Sequence, residues 1–321
     1  MTKERKLPKQ IEQIKALRIR LSKSHPKYDL VEEDFRKRMS GYKGERSLDY
    51  YLKFLPEKKY RILKGLRLLD NSTNTHFEID NLLISKSLIL DLDAKNHKGE
   101  IYFDYQFSQM HQTYDNIKNT YACPLTQLHR HQLQIKRLLQ FYKIPTIPIE
   151  SLVVFTNLST TLTSSLNHPH AHKIIHSASL LSKIEQFEKI YRKETLESKH
   201  IQKLTKLLLR LNTPFDGNIL DRFGIKVCEL LKGVHCPICE ALPMARTPRK
   251  WKCLKCGYSS FDAYHDSVSH YFLLTGNQIT NQKLRDFLLL PSRHSARNIL
   301  NSWNLTHEGK TKGSVYSYRE E

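Results

Sequence analysis

The apolar positions of this chain change period from one stretch to the next, and the changes lay out its elements. Between residues 88 and 95, Leu88, Leu90, Leu92 and Ala94 alternate with Ile89, Asp91, Asp93 and Lys95. A two-residue period predicts a strand there, with similar runs at 60–68, 77–85 and 100–105 and a short buried one at 152–155. Helical spacing returns elsewhere. Ile11, Ile14, Leu17 and Leu21 make one apolar stripe, Pro26 breaks it, and 31–39 predicts a second short helix. A helix from Gly44 is expected to end at Pro56. Leu128, Ile135, Leu138 and Leu139 predict another over 126–142, closed by Pro145 and Pro148. Residues 180–191 and 201–211 read as further helices, whereas the polar stretches 106–122 and 158–172 read as connections. Within the second of these, His168, His170 and His172 alternate as metal ligands on a strand would, but Pro169 and the polar setting favour an exposed loop.

Alternation also decides direction. Asp91, Asp93 and Lys95 point to one side of their strand, and two acids and a lysine are costly to bury unpaired. A divalent metal relieves that cost, because carboxylates are hard oxygen ligands suited to Mg²⁺ or Mn²⁺. A lysine beside them can steady an attacking water or a transition-state charge. Asp91 either widens such a site or pairs with a nearby basic residue. Asp80, one strand earlier, followed by Asp93-Ala94-Lys95, is the arrangement of the PD-(D/E)xK nucleases.

The surroundings carry this further. Gly41-Tyr42-Lys43-Gly44-Glu45 stands upstream, followed by Glu78-Ile79-Asp80-Asn81 and by Asp93-Ala94-Lys95-Asn96-His97-Lys98-Gly99. Cys123-Pro124-Leu125-Thr126-Gln127 and Val153-Val154-Phe155-Thr156-Asn157 come later. In this order, over roughly residues 41 to 195, the chain resembles the nuclease-related domain, NERD, of bacterial proteins. The 1–40 segment, with His25-Pro26, is similar to the leader of certain bacillar members. Two positions depart from the family: its usual Glu is Asp93 here, and its usual Asn is Cys123. The resemblance implies a restriction-endonuclease-like mixed sheet flanked by helices, an α/β fold. It also implies that Asp80 and Asp93 hold Mg²⁺ or Mn²⁺, helped by the Ala94 carbonyl. Lys95 would then orient the hydrolytic water, Glu45 would add a third carboxylate, and Gln127 would hold a water or a phosphate oxygen. The competing reading of Glu45 is a surface helix residue, and of Gln127 a helix-start side chain. His129 and His131 are read as packing or surface residues.

Composition sets the partner. Over 321 residues, Lys and Arg number 52 against 32 Asp and Glu, a formal charge of +20. Such an excess favours polyanions, with DNA the expected partner, RNA the alternative and an anionic membrane surface the bland option. No apolar run approaches 18 residues, so no membrane span is expected. The N-terminus lacks a signal peptide's apolar core, and a cytoplasmic location is expected. Basic residues near the N-terminus, Lys3, Arg5, Lys6, Lys9, Lys15, Arg18 and Arg20, form either a phosphate-contacting arm or a solvated helix packed on the core.

Two further patterns occupy the C-terminal third. Cys236 and Cys239 form one Cys-x-x-Cys knuckle, Cys253 and Cys256 a second, thirteen residues apart. Four thiolates from two tight turns fit a structural Zn²⁺ with no open position, a zinc ribbon. Beyond it, helices are predicted at 267–274, at 281–289 capped by Thr280, and at 293–303 opened by Pro291-Ser292. A glycine- and lysine-bearing hairpin follows at 306–318. That order is a winged helix-turn-helix, whose third helix would present Arg293, His294, Arg297, Asn298 and Asn301 to DNA, with Lys310 and Lys312 on the wing. A small helical domain for protein contacts is the alternative.

The expected organisation is therefore a basic helical arm (1–40), a nuclease-like domain (41–195), a helical linker (196–232), a zinc ribbon (233–262) and a winged-helix-like domain (263–321). The expected function is metal-dependent DNA hydrolysis, in processing, repair or defence. A non-catalytic DNA-binding scaffold and an RNA-processing factor are the alternatives.

Overall fold

The computed structural model describes residues 5–166, 168–247, 250–309 and 313–318. The chain divides into two compact units. One is built from Met39–Phe215 with the start of the chain up to Lys6, the other from Leu7–Arg38 and the chain from Asp216 onward.

Helix α1 (Lys9–Arg20) is followed by α2 (Tyr28–Leu52). Where a short helix and a fresh start at Gly44 were expected, α2 runs unbroken through Gly41 and Gly44. A glycine inside a helix costs only about 1 kcal/mol against alanine. Three i,i+4 ion pairs support α2, Glu32–Arg36, Glu33–Lys37 and Asp34–Arg38.

The first unit continues with β1 (Arg61–Asp70), β2 (Thr75–Ile84), β3 (Ile89–Lys95), β4 (Gly99–Asp104), β5 (Gln109–Tyr114) and β6 (Ile117–Ala122). Then come α3 (Pro124–Phe141), β7 (Ile149–Phe155), β8 (Thr160–Ser164), β9 (Ile174–His176), α4 (Leu180–Ile190) and α5 (Ser198–Leu211). The main sheet has the order β1-β2-β3-β7-β9. Its first three strands are antiparallel, and β3, β7 and β9 run parallel. Leu90, Leu92, Leu152 and Val154 share one core with Leu48 and Leu52 of α2 and Leu180, Ile184 and Phe187 of α4. Ile79, Ile89 and Ile149 share another with Leu138 of α3 and Leu204 and Leu208 of α5. Helices therefore cover both faces of a mixed sheet. Residues 198–211, expected to lead into a linker, complete this unit.

A second sheet, β6-β5-β4-β8, replaces two expected connections. The stretch 106–122 escaped detection because every residue of β6 is exposed, so no apolar alternation marks it. The turn chemistry was present, however: Asp115 and Asn116 join β5 to β6 with φ of 51° and 61°, the left-handed pair that a two-residue hairpin requires.

In the second unit α1 is not a free basic arm. Ile14, Ala16, Leu17 and Leu21 are buried in one core with Val234, Trp251, Val268, Leu284 and Leu288. Arg20, expected among phosphate-contacting residues, is fully buried. Its guanidinium donates to the Leu231 and Gly233 carbonyls at 2.9 and 3.3 Å and lies 4.0 Å from the Phe287 ring centroid. Burial pulls its pKa down to about 9. Arg18 pairs with Glu240 at 2.6 Å and Lys9 with Asp216 at 2.9 Å. Lys6 and Lys15 are exposed, and Lys3 lies outside the described residues.

After α6 (Ile219–Phe223), three two-residue strands, β10 (Ala245–Arg246), β11 (Trp251–Lys252) and β12 (Ser259–Ser260), pair antiparallel around the cysteine turns. The C-terminal elements are α7 (Tyr264–Thr275), β13 (Gln278–Thr280), α8 (Asn281–Leu288), α9 (Arg293–Asn301), β14 (Leu305–Glu308) and β15 (Val315–Tyr318). Their strands order as β13-β15-β14. Thr280 Oγ1 accepts the Lys283 N–H and Ser292 Oγ the Ser295 N–H, which caps α8 and α9. The cysteine region and these helices share one core. No helix among the described residues is long and apolar enough to cross a membrane.

Candidate active site

The acidic face of the first unit begins at an irregularity. Pairing of β1 with β2 skips Gly65 and Asp80, and Gly65 takes a φ of 59° there. The buried face changes parity across the break: Leu63 stands opposite Leu82 on one side, Leu66 and Leu68 opposite Ile79 and Phe77 on the other. Pairing of β2 with β3 stops at Asn81 and Leu92. Asp80 thus sits where two ladders are interrupted, and its Oδ2 accepts the Ala94 N–H at 2.8 Å. A side chain satisfies a donor that a strand carbonyl otherwise would.

Asp91, Asp93 and Lys95 share the α3 side of β3. Asp91 and Asp93 are buried, at 1% and 4% exposure. Lys95 Nζ donates to Asp93 Oδ1 at 3.0 Å and stands 2.9 Å from Oδ2. Asp91 Oδ2 is hydrogen-bonded to His131 Nδ1 at 3.0 Å. His131 is thus the partner the structure gives to this oxygen of Asp91. His131, read as packing or surface, is buried on α3, one turn after Gln127. Gln127 itself stands half-buried in the first turn of that helix. The missed signal was the i,i+4 spacing of the two.

Glu45, on α2, meets a residue from the start of the chain. Arg5 Nη1 donates to Glu45 Oε2 at 2.6 Å; its Nη2 donates to Asn81 Oδ1 at 2.7 Å and to the Asp80 carbonyl at 3.3 Å. Arg5 Nε lies 3.6 Å from Asp49 Oδ2. Its side chain is 6% exposed, so Arg5, like Arg20, is withdrawn from any phosphate-contacting arm.

Burial dominates the electrostatics. It pushes Asp93 up to about 7, against the pull of Lys95 and with the repulsion of Asp80. It raises Asp80, although the Ala94 N–H, Lys95 and Arg5 oppose it, and raises Asp91 against His131. Glu45 is also pushed up to about 7 by burial and by Asp80, with Arg5 opposing. For Lys95 burial pulls downward, but Asp93, Asp80 and Asp91 together outweigh it and hold the ammonium above its ordinary value. Asp91 Oδ1 remains buried without a hydrogen-bond partner, and Asp93 Oδ2 has only the Lys95 ammonium beside it. Hard oxygen donors, crowded and under-satisfied, are chemically suited to a divalent cation. Asp80 and Asp93 are the pair that could hold one. Among the described residues, Asp80, Asp93 and Glu45 do not bring three ligand atoms within 4.8 Å of one another.

Asn96 Nδ2 donates to the Ser40 carbonyl at 2.9 Å, tying the end of β3 to α2. A Cβ on Gly44 would lie 2.7 Å from Asn96 Cβ, so only glycine allows this approach. Gly99 has a φ of 79°, and a Cβ there would meet the Thr113 carbonyl at 2.3 Å. Cys123 supplies no side-chain cap to α3.

In the second unit the sulfurs of Cys236, Cys239, Cys253 and Cys256 all lie within 4.8 Å of one another. Cys236–Cys256 and Cys239–Cys253 are 3.6 and 3.5 Å apart. A tetrahedral Zn²⁺ with bonds of about 2.3 Å needs sulfur edges of about 3.8 Å, so the four thiols fit zinc. On α9, Arg293, His294, Arg297, Asn298 and Asn301 are exposed, opposite the buried Ala296, Ile299 and Leu300. Lys310 and Lys312 lie outside the described residues.

The first unit is thus a helix-flanked mixed sheet with buried acids and a lysine at its centre. The family model of the nuclease-related domain, NERD, matches residues 40–156. No curated protein and no solved structure matches the chain.

Proposed function

We propose that this protein is a metal-dependent DNA nuclease of the PD-(D/E)xK type. The observation that carries the reading is the Asp80–Ala94 and Asp93–Lys95 geometry inside the stretch matching NERD. Asp80 and Asp93 hold Mg²⁺ or Mn²⁺ with the Ala94 carbonyl. The chemistry such an ion supplies is charge on the phosphate oxygens and a more acidic water. Lys95, held as an ammonium by Asp93, orients that water or the phosphate. Glu45 and Gln127 complete the polar surround, while His131 keeps Asp91 paired and in place.

The four cysteines hold a structural zinc in a ribbon. The elements α7–β13–α8–α9–β14–β15 follow the order of a winged helix-turn-helix, and Arg293, His294, Arg297 and Asn298 contact DNA from α9. A non-catalytic DNA-binding scaffold is the second reading. The buried Arg5 guanidinium favours it, because it already neutralises part of the acidic cluster.

The decisive experiment incubates supercoiled, linear and single-stranded DNA with Mg²⁺ or Mn²⁺ and the wild type, Asp93→Ala or Lys95→Ala. Cutting by the wild type that both variants lose, with DNA binding kept, supports the enzyme. Binding without cutting by all three leaves the scaffold reading.

A further inference from the structure

The first unit contains a cavity of about 510 Å³ beside the start of α3, with mostly apolar walls in which a few polar side chains are set. Ser151, on β7, is 1% exposed, and its Oγ has no hydrogen-bond partner. His168 also lines the cavity; expected in an exposed loop, it is 8% exposed instead. Its Nδ1 accepts the His170 N–H at 3.2 Å. A neutral imidazole that accepts at one nitrogen carries its proton on the other. Burial and His170 hold His168 towards that neutral form. Its Nε2–H is therefore a donor, and it too is buried without a partner.

Charge points the same way. Arg130 lines the cavity from an exposed position on α3. Lys173 lines it while paired with Glu150 at 3.1 Å. The one acid of the lining, Asp104, spends its Oδ1 on the Phe107 N–H at 3.0 Å. Leu125, Leu128 and the Tyr105 ring supply an apolar wall. Two buried, unsatisfied donors, a cation and an otherwise apolar wall suit a small anion joined to an apolar ring, and the volume lies in the range of small-ligand pockets.

Register places the cavity relative to the acids. Ser151 pairs with Asp91, and Val153, two residues on, pairs with Asp93. Paired residues of neighbouring strands share a face, so the Ser151 hydroxyl and the Asp93 carboxylate lie on one side of the sheet, about 6.6 Å apart along β7. We propose that this cavity seats the phosphorylated terminal nucleotide of a nucleic-acid strand. Ser151 Oγ and His168 Nε2 donate to the phosphate, Arg130 neutralises it, and the base lies on the apolar wall. The adjoining phosphodiester then falls beside the acidic face. That last step rests on the nuclease reading; binding in the cavity does not.

The test uses the full-length protein without added Mg²⁺ and follows anisotropy of one labelled oligonucleotide bearing a 5′-phosphate, a 3′-phosphate or hydroxyl ends. Competition with AMP, adenosine and inorganic phosphate accompanies it. One phosphorylated end should bind about tenfold more tightly than the hydroxyl-ended strand, the gain expected of charge-assisted donors. Ser151→Ala, His168→Phe and the surface change Arg130→Gln should each abolish that preference and leave hydroxyl-ended binding unchanged. Equal binding of all ends by the wild type overturns the proposal, as does a preference that survives all three substitutions. AMP binding as tightly as the phosphorylated strand overturns the strand-end assignment in favour of a free nucleotide. Asp93→Ala should keep the preference. A preference without cleavage therefore sinks the nuclease reading alone, and cleavage without a preference sinks this one alone.

Discussion

Arg5 Nη1 and Glu45 Oε2 are 2.6 Å apart, joining the start of the chain to helix α2. The pair is partly desolvated, with side chains 6% and 25% exposed. Removing one partner leaves the other charge or donor buried alone. Arg5→Ala is therefore expected to lower stability by about 2 kcal/mol, below the full cost of breaking a buried pair because Glu45 keeps some water. Arg5→Lys should restore only part of this, since the guanidinium serves Glu45 and Asn81 through two different nitrogens. Urea unfolding midpoints of the three proteins measure both effects. No loss in Arg5→Ala means the contact carries no stability.

The two glycines of Gly41-Tyr42-Lys43-Gly44-Glu45 should respond in opposite directions. A Cβ on Gly41 meets nothing within 4 Å, so Gly41→Ala should stabilise the helix by roughly 0.5–1 kcal/mol. A Cβ on Gly44 meets Asn96 Cβ at 2.7 Å and Thr156 Oγ1 at 3.1 Å. Gly44→Ala should cost about 1–3 kcal/mol by forcing α2 away from the end of β3. Thermal midpoints moving the same way in both variants contradict this assignment.

Acid should destabilise the second unit through two stacked histidines. His235 and His270 have ring centroids 4.4 Å apart, and burial holds them down to about 4 and about 2 respectively. Both values lie below the ordinary 6.5, so the unfolded chain binds protons first as the pH drops. Their contribution is fully present above pH 6.5 and is lost as the pH falls, through both histidines down to about 4 and through His270 alone below that, by on the order of 1 kcal/mol per pH unit for each. His270→Phe should roughly halve that slope. Denaturant unfolding of both proteins at several pH values across this interval supplies the comparison, and identical slopes count against it.

Zinc should be an integral part of the second unit. The purified protein is expected to carry one Zn²⁺ per chain, released when the thiols are blocked. Cys253→Ser should lose the metal and expose the core around Trp251, which shares the cluster containing Cys236 and Cys253. Elemental analysis and tryptophan fluorescence read the two effects. Full zinc content in Cys253→Ser excludes a four-cysteine site.

Much of this protein is written locally. The period-two run 88–95 marked β3, Thr280 and Ser292 marked the starts of α8 and α9, and the spacing of Cys236, Cys239, Cys253 and Cys256 marked four sulfurs that do converge. Each depends on residues a few positions apart, where backbone geometry alone sets which side chains meet. Pairings between distant segments were decided only by the tertiary structure. Among the basic residues of the first forty, nothing along the chain distinguishes the exposed Lys15 from Arg20, buried beneath Phe287, or from Arg5, enclosed by acids. Asp91 found His131 forty residues away, and Gly44 proved necessary only because Asn96 arrives against it. Strand β6, exposed on both faces, has no apolar alternation and exists through its ladder with β5. Composition and period determine which elements form; which charge is buried, and beside what, follows from how those elements pack.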